Sequence, residues 1–582
     1  MPERVVVEIS KRGRLVIGEP FFEPGTPLVL ETKGLGDAGP GDLAAVWKGR
    51  GRARLERVFG RAGAIEAVLS GLLAHAGEGG PFEPHELPRP GLEGRVDLRE
   101  LPTFTIDPET ARDFDDALSL RSDGDGLRAY VHIADVAAFV PAGSPLDHGA
   151  ASRGFSVYVP GLVAPMLPPE LADDACSLRP HVDRLCVTVE VPFDGGLDAS
   201  EPLFYRSVIR SDERLTYGRA EAILAGRERA PADVEDGLHL AERLATELRR
   251  RRFARGALRV ESPEEVFAFD GNGGVARAWR ESEPHAHMLV EELMILANEA
   301  VAELLAGRRR AALYRVHERP EPQSVALLLA KLADLGVPTP AAPERMSPQD
   351  AERLAAEAAE RVAAYVSASG RGREAFPALV LRALMRARYD PTNLGHSGLA
   401  SPAYCHFTSP IRRYPDLICH RELLNELGLS DERVPEDLGA LAEHCSARER
   451  TAAGVEYRAD EICLAWLLDR RLYEEGWDTA FDGEIVGLIG AGLFVRFGEV
   501  FEGFLPSRRL GGDYFEPSPL GTSLVGRRGG RYRLGDLLEV RVEKVEKAAG
   551  KVELSLASDA AAAGGRTRSS GARTRRSRAS AG

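Results

Sequence analysis

The hydrophobic rhythm of the chain changes three times. From residue 4 to about 60, short apolar and β-branched runs (VVVEI, RLVIG, TPLVLE, AAVWKG, RARLERVFG) alternate with Gly and Pro, the pattern of a small β-rich module. A helix is predicted over 64–74, and the Pro/Gly-rich stretch PFEPHELPRPG (81–91) predicts a linker. From 96 to 204 strands alternate with loops. In LRAYVHIADV, Leu127, Ala129, Val131 and Ile133 recur at period two and are expected on one strand face. After Tyr217 the period lengthens, and helices are predicted over 232–252, 285–305, 347–368, 374–388 and 436–475. Ser347 followed by Pro348 marks one start, with an N-cap and a proline at the first helical position. Beyond Gly476, β signals return in FDGEIVGLI, GLFVRFG, EGFLP, GDLLEVRVEKVEK and KVELSL, five short strands that fit an OB-type barrel.

The expected class is therefore α+β. Its parts are a β-rich nucleic-acid-binding module (1–60), a helix and linker (61–92), a mixed sheet-and-helix core (93–475), a C-terminal OB-type RNA-binding domain (476–558) and an Arg-rich tail (559–582). The tail is expected to be disordered.

Composition changes this picture little. Of 582 residues, 44% are hydrophobic and 28% charged, and no apolar run reaches membrane-spanning length. The start, MPERVVVEIS, lacks the pattern of a secretory signal, so a cytoplasmic protein is expected. Cys176, Cys186, Cys405, Cys419, Cys445 and Cys463 lie far apart in sequence, which predicts reduced thiols and neither a disulfide framework nor a zinc site. The net charge of −14 argues against a nucleic-acid partner only if it is spread evenly. Basic clusters stand at 48–54, 527–533 and 566–578.

The chemistry concentrates in TIDPETARDFDDA (105–117), where Asp107, Asp113, Asp115 and Asp116 fall within ten residues. Such like charges repel strongly unless cations offset them. Oxygen ligands without nearby His or Cys suit Mg²⁺ or Mn²⁺ better than zinc. In an extended segment Asp113 and Asp115 share one side while Phe114 points to the other, and Pro108 keeps Asp107 extended. An acidic surface loop or a calcium-binding turn has the same composition, but the flanking strand signals place the cluster in a β scaffold.

The chain resembles the ribonuclease II/R family. The likeness runs in family order through VDLRELPTFTIDPETARDFDDA, VHIADV (131–136), RGFSVYVPGLVAPMLP (153–168), ACSLRP, VEELMILANEAVA (290–302), GHSGLA (395–400) and HFTSPIRRYPDL (406–417), spanning roughly 90 to 475. The resemblance implies a processive 3′→5′ exoribonuclease that hydrolyses single-stranded RNA to nucleoside 5′-monophosphates, acting as a monomer. Asp107, Asp113, Asp115 and Asp116 would hold Mg²⁺ (two ions, with Mn²⁺ as the alternative), and Asp115 would be the most critical. Arg412 would stabilise the scissile phosphate, with Arg413 beside it; the other reading pairs both arginines with buried acids such as Asp416. Tyr158 and Tyr217 match active-site tyrosines, whereas core tyrosines are the commoner role. His406, Thr408 and Ser409 are candidate donors to phosphate or the 2′-hydroxyl, and Glu291 or Glu292 would approach the terminal nucleotide. In the C-terminal barrel Phe494, Phe497, Phe501 and Phe504 are possible stacking rings, two or more of which are expected to fill the core.

Departures from the family pattern are Ser397 and Val260, where aromatic residues often stand, and an N-terminal region with room for one compact module, a reduced OB fold or a winged-helix-like substitute. Two rival readings are an inactive RNA-binding regulator on this scaffold and a single-strand endonuclease. A single module suggests a thinner gate over the RNA channel. Hairpins with graded 3′ overhangs should then be digested up to or into the duplex, and stalling many nucleotides short of every duplex would contradict this expectation.

Overall fold

A computed structural model describes residues 3–258, 264–271, 273–281, 285–432 and 434–557. The basic tail and the Val260 position lie outside the described residues.

The first module is built from β1 (Glu3–Arg12), β2 (Leu15–Pro20), β3 (Leu28–Val29), β4 (Asp42–Lys48) and β5 (Arg54–Arg61), in the sheet order β3-β2-β1-β4-β5. A parallel bridge between Leu30 and Ala53 joins its two edges. This is the strand order of an OB barrel, incompletely closed, and not that of a winged helix. Neighbouring valines in β1 serve different cores because successive side chains face opposite ways. Val7 and Ile9 fill the barrel with Leu30 and Val46, while Val6 turns outward to Val68, Leu69 and Leu72 of α1 (Ile65–His75). Helix and barrel approach closely at Gly71, where a Cβ would stand 2.8 Å from Leu43.

The core sheet has seven strands. β6 (Val96–Asp97), β7 (Phe104–Asp107), β8 (Asp116–Asp123), β9 (Gly126–Ala134), β12 (Asp183–Phe193), β13 (Leu203–Arg210) and β14 (Glu213–Thr216) assemble as β14-β7-β8-β9-β12-β13-β6. Between β9 and β12 lie α2 (Pro145–Arg153) and the hairpin β10 (Val157–Val159) and β11 (Leu162–Ala164). Leu127, Ala129, Val131 and Ile133 alternate along β9 on one face, as expected, and are buried, but so are Tyr130, His132 and Ala134, because the sheet is covered on both faces. One face, with Phe104 and Leu120, meets Gly237 of α4 (Ala232–Ala254). The other carries a buried polar row. Thr103, Ser119, His132, Thr188 and Ser207 are linked side chain to side chain at 2.7–3.0 Å. Each buried polar group thereby has a partner, which removes most of the cost of placing it there. Burial lowers His132 to about 3, so the row is neutral.

Helices follow: α3 (Tyr217–Leu224), α4, α5 (His285–Gly307), α6 (Pro322–Asp334), α7 (Pro348–Ser369), α8 (Ala375–Ala383), α9 (Tyr414–Glu426) and α10 (Leu438–Glu475). Two strand pairs interrupt them, β15 (Glu264–Phe269) with β16 (Val275–Glu281) and β17 (Tyr314–Val316) with β18 (Arg388–Asp390). The helix expected to reach 388 ends at Ala383, because Arg388–Asp390 pairs with β17 and the Tyr389 amide donates to Ser446. Helices α2, α3, α6 and α9 were not expected. Ser347 does cap α7, in a reciprocal capping box with Asp350.

The C-terminal barrel closes as β19 (Ala480–Ile489), β20 (Gly492–Phe497), β21 (Phe501–Pro506), β26 (Lys551–Leu556) and β25 (Leu537–Glu546), the five strands read from sequence. A three-stranded sheet, β22 (Phe515–Pro517), β23 (Ser523–Gly526) and β24 (Arg531–Arg533), is inserted after β21. Phe497 and Phe501 fill the barrel, whereas Phe494 is exposed and packs on half-buried Phe504 at 5.2 Å. Among the described residues no helix is long and apolar enough to cross a membrane.

Candidate active site

Sheet register assembles the aspartate segment. Asp107 ends β7, and Asp116 begins β8 opposite Ile133 of β9. The loop between them is pinned at Phe114, which is buried: its amide donates to the Ser177 hydroxyl at 3.0 Å and its carbonyl accepts from the Leu178 amide. The same Ser177 hydroxyl donates to the Arg112 carbonyl at 2.7 Å. Phe114 therefore anchors the loop inward, as its alternation with Asp113 and Asp115 predicted. Parallel pairing of β7 with β14 sets Thr216 opposite Asp107. The next residue, Tyr217, opens α3, capped by the Thr216 hydroxyl. Register alone thus delivers Tyr217 to the Asp107 end of the site, where its ring lies 5.3 Å from that of His287.

The segment 406–413 meets this loop. Oδ1 of Asp115 accepts the Ile411 amide at 2.8 Å, and Nε of Arg412 stands 3.7 Å from its Oδ2. A second seam joins 412–414 to 154–156. The Ser156 amide donates to the Arg412 carbonyl, and the Tyr414 amide donates to that of Gly154. Gly154 has φ of 73° and lies so close to α10 that a Cβ would be 2.8 Å from Arg448 Cβ, so glycine is required there. The strand leaving this seam carries Tyr158, whose hydroxyl donates to Asp113 Oδ2 at 2.6 Å while its amide donates to Glu456 of α10 at 2.8 Å.

Burial makes the cluster electrostatically costly. Asp115 is 4% exposed, and desolvation drives its carboxyl well above the ordinary range against the pull of Arg412. Asp107 is pushed up to about 8 by burial and then by repulsion from Asp116. Asp116 rises to about 6, again by burial. Oδ2 of Asp107 and Oδ2 of Asp115 are buried without a hydrogen-bond partner. Hard, all-oxygen donors with unsatisfied buried lone pairs fit a divalent cation such as Mg²⁺. In this conformation, however, no three His, Cys, Asp or Glu side chains among the described residues converge as a ready ligand set.

The remaining predicted residues divide. Arg413 pairs at 2.7 Å with Asp416, which is fully buried and whose Oδ1 also accepts the Ser409 amide. The structural reading of that arginine is thus the one realised in this structure. The side chain of Arg412 is 47% exposed, against 20% for Arg413, and Arg412 also donates to Ser409 Oγ at 3.2 Å. Thr408 and Ser409 are each 4% exposed. His406 bonds Tyr389 through Nδ1 at 2.7 Å, and burial holds its pKa well below the ordinary range, so it is neutral. Glu292 forms a buried pair with Arg252 of α4, while Glu291 lies 3.3 Å from the same guanidinium. Ser397 sits in a short turn after His396, whose Nδ1 accepts the Leu399 amide at 3.2 Å.

Sequence reading missed Asn298. Buried in α5, it donates to the Tyr404 hydroxyl at 3.0 Å and accepts the Phe407 amide at 2.8 Å, gripping the segment that leads into the arginine loop. The only signal was an amide on an apolar helix stripe. Cys405 and Cys419 also meet, their sulfurs 3.4 Å apart, despite fourteen residues of separation. The six cysteines are free and buried.

The fold and site define a mixed α+β core with a partly buried carboxylate loop met by an arginine loop, carried between two OB-type barrels. The RNB domain model matches residues 95–428 and the S1 RNA binding domain model residues 477–557. The chain belongs to the RNB domain family. It is 38% identical over 498 residues to Ribonuclease R of Escherichia coli strain K12, an alignment covering 81% of this chain and 58% of that protein. The chain thus spans about three-fifths of that relative's length. Its fold is similar to Mycoplasma genitalium RNase R in complex with ribose methylated single-stranded RNA (TM-score 0.84, 23% identity, 95% of this chain and 89% of that one). It is also similar to yeast Ssd1, a pseudonuclease (TM-score 0.65, 18% identity, 90% and 67%). One fold thus serves a nuclease and a pseudonuclease, and side-chain chemistry must decide between them.

The division between the two arginines is testable by urea unfolding. Arg413→Met strands a buried Asp416 and is expected to cost about 3–5 kcal/mol. Arg412→Met removes a half-exposed guanidinium and should cost under about 1 kcal/mol. Equal losses would contradict the assignment.

Proposed function

We propose that the protein is a processive 3′→5′ exoribonuclease that hydrolyses single-stranded RNA to nucleoside 5′-monophosphates, using divalent ions at Asp107, Asp113, Asp115 and Asp116. The observation that carries this reading is the carboxylate cluster, with Asp115 buried and Asp107, Asp113 and Asp116 half-buried around it, and an arginine, Arg412, half-exposed at its rim. A protein that only bound RNA would gain nothing from concentrating anionic groups where phosphates must come, which disfavours the regulator reading.

Mg²⁺, as two ions, is the proposed cofactor, with Mn²⁺ able to substitute; bound there, it would supply the positive charge that activates water and eases departure of the 3′ oxygen. The chain's own groups do the rest. Asp115 is oriented by the Ile411 amide, which ties the carboxylate to the arginine loop. Arg412, steadied by Ser409, offers its guanidinium to the scissile phosphate, where extra negative charge develops in the transition state. Arg413 acts at one remove, holding Asp416 and through it the Ser409 amide. Thr408, buried, and His406, half-buried and neutral, lie on the same segment just before the arginines. The Tyr158 ring, fixed at its hydroxyl by Asp113, would stack on a terminal base of any identity, with Tyr217 flanking the Asp107 end; the Tyr158–Asp113 hydrogen bond supports this reading by holding the ring beside the carboxylates. Glu292 keeps α5 in register with α4 through Arg252, and Glu291 is the member of that pair with more exposed surface.

Two variants test these roles on a linear RNA and its circular counterpart. The native protein should release mononucleotides from the linear RNA and leave the circle intact. Asp115→Asn should retain RNA binding while losing most cleavage, and Arg412→Ala should slow cleavage on the order of 10²–10³-fold. Cutting of the circle would favour an endonuclease, and unchanged turnover in either variant would overturn the assignments.

A further inference from the structure

Arg214 was singled out by no sequence motif, yet its side chain touches the aspartate loop at two separate points. It lies in β14 opposite Thr105 of β7. From there Nη2 donates to the Pro108 carbonyl, which also accepts the Ala111 amide at 3.2 Å. The guanidinium carbon stands 5.5 Å from the centre of the Phe114 ring. Pro108 follows Asp107, and Phe114 separates Asp113 from Asp115, so one planar cation spans the loop from its first carboxylate to its middle pair. Nε of Arg214 is buried without a hydrogen-bond partner, and among the described residues the guanidinium forms no ion pair within 4.0 Å.

We propose that Arg214 is the clamp of the aspartate loop, a positioning residue that holds the loop closed at the Pro108 carbonyl and the Phe114 ring while no cation is bound. The proposal rests on reading those carboxylates as cation ligands. A guanidinium suits the task better than an ammonium, because its flat face lies on the Phe114 ring while its edge donates to the Pro108 carbonyl. A divalent ion held by those carboxylates would itself supply a cross-link for the loop, so the arginine would be needed less. Linkage then fixes the sign: a group that stabilises the cation-free fold more than the loaded one diminishes the stabilisation that the cation brings.

The test is thermal unfolding of the full chain in EDTA and in excess Mg²⁺, for the native protein, Arg214→Met and Arg214→Lys, with amide exchange across 108–113 as a second readout. The native Tm should rise with Mg²⁺. Arg214→Met should unfold earlier in EDTA, show faster exchange across the loop, and gain about twice the native Mg²⁺-dependent rise. Arg214→Lys, which keeps the charge but not the plane, should fall between the two. A substitution with only a general packing effect would lower Tm equally in both conditions, and that result would overturn the proposal. Should Arg214→Met fail to fold, the lysine variant carries the comparison, with the same sign and a smaller amplitude. A native Tm indifferent to both Mg²⁺ and Mn²⁺ would remove the cation reading and the proposal together. A native rise that is not amplified in the variants would remove Arg214's role alone.

Discussion

Four carboxylates in ten residues, Asp115 buried and the other three half-buried, form an arrangement whose Coulomb and desolvation costs must be met by something outside the cluster. Much of the surrounding structure reads as a response to that constraint. The loop is tied down at Phe114 by Ser177 and Leu178, Asp115 is tied to the Ile411 amide, Asp113 accepts the Tyr158 hydroxyl, Arg412 brings positive charge to Asp115, and Arg214 clamps the loop at the Pro108 carbonyl. None of these contacts neutralises the cluster. Oxygens are left buried and unbonded, which is the physical reason for expecting a divalent cation as the missing partner.

The two arginines of the 406–413 segment show how neighbouring identical residues acquire different work. Arg413 points into the core and pairs with Asp416, and this pair keeps the loop's course fixed. Arg412 points toward solvent at the rim of the carboxylates. Asn298, Asp416 and Asp115 grip the segment at three successive points through the amides of Phe407, Ser409 and Ile411. A guanidinium presented by backbone held in this way needs little reorganisation to meet a charge as it develops, the condition under which electrostatic stabilisation is most effective.

Much of this was legible in the sequence, and the limits have physical causes. Long helices and the five strands of the C-terminal barrel could be read because their periodicity runs over many residues. The aspartates could be read because carboxylates crowded into a β scaffold repel one another unless a cation offsets them. Helix α9 was missed because it is buried on all sides, from Tyr414 through Leu424, and so lacks an amphipathic stripe. The end of the predicted 374–388 helix was misplaced because β18 is set by pairing with β17, some seventy residues away. Side-chain partners were least legible. Nothing local distinguishes Arg412 from Arg413, or marks Asn298 and Arg214, since each acquires its role from a segment distant in sequence. The N-terminal module could be read as β-rich, but its OB strand order depends on the Leu30–Ala53 bridge.

The central claim is that the buried carboxylates exist to hold divalent ions, and direct metal binding tests it most plainly. Mn²⁺ titrated into the chain in the absence of RNA, and followed by its paramagnetic resonance signal, should bind stoichiometrically to the native protein and be lost or greatly weakened when Asp107 and Asp115 are both changed to Asn. Native protein that takes up no Mn²⁺, or a double variant that binds it undiminished, would contradict the account.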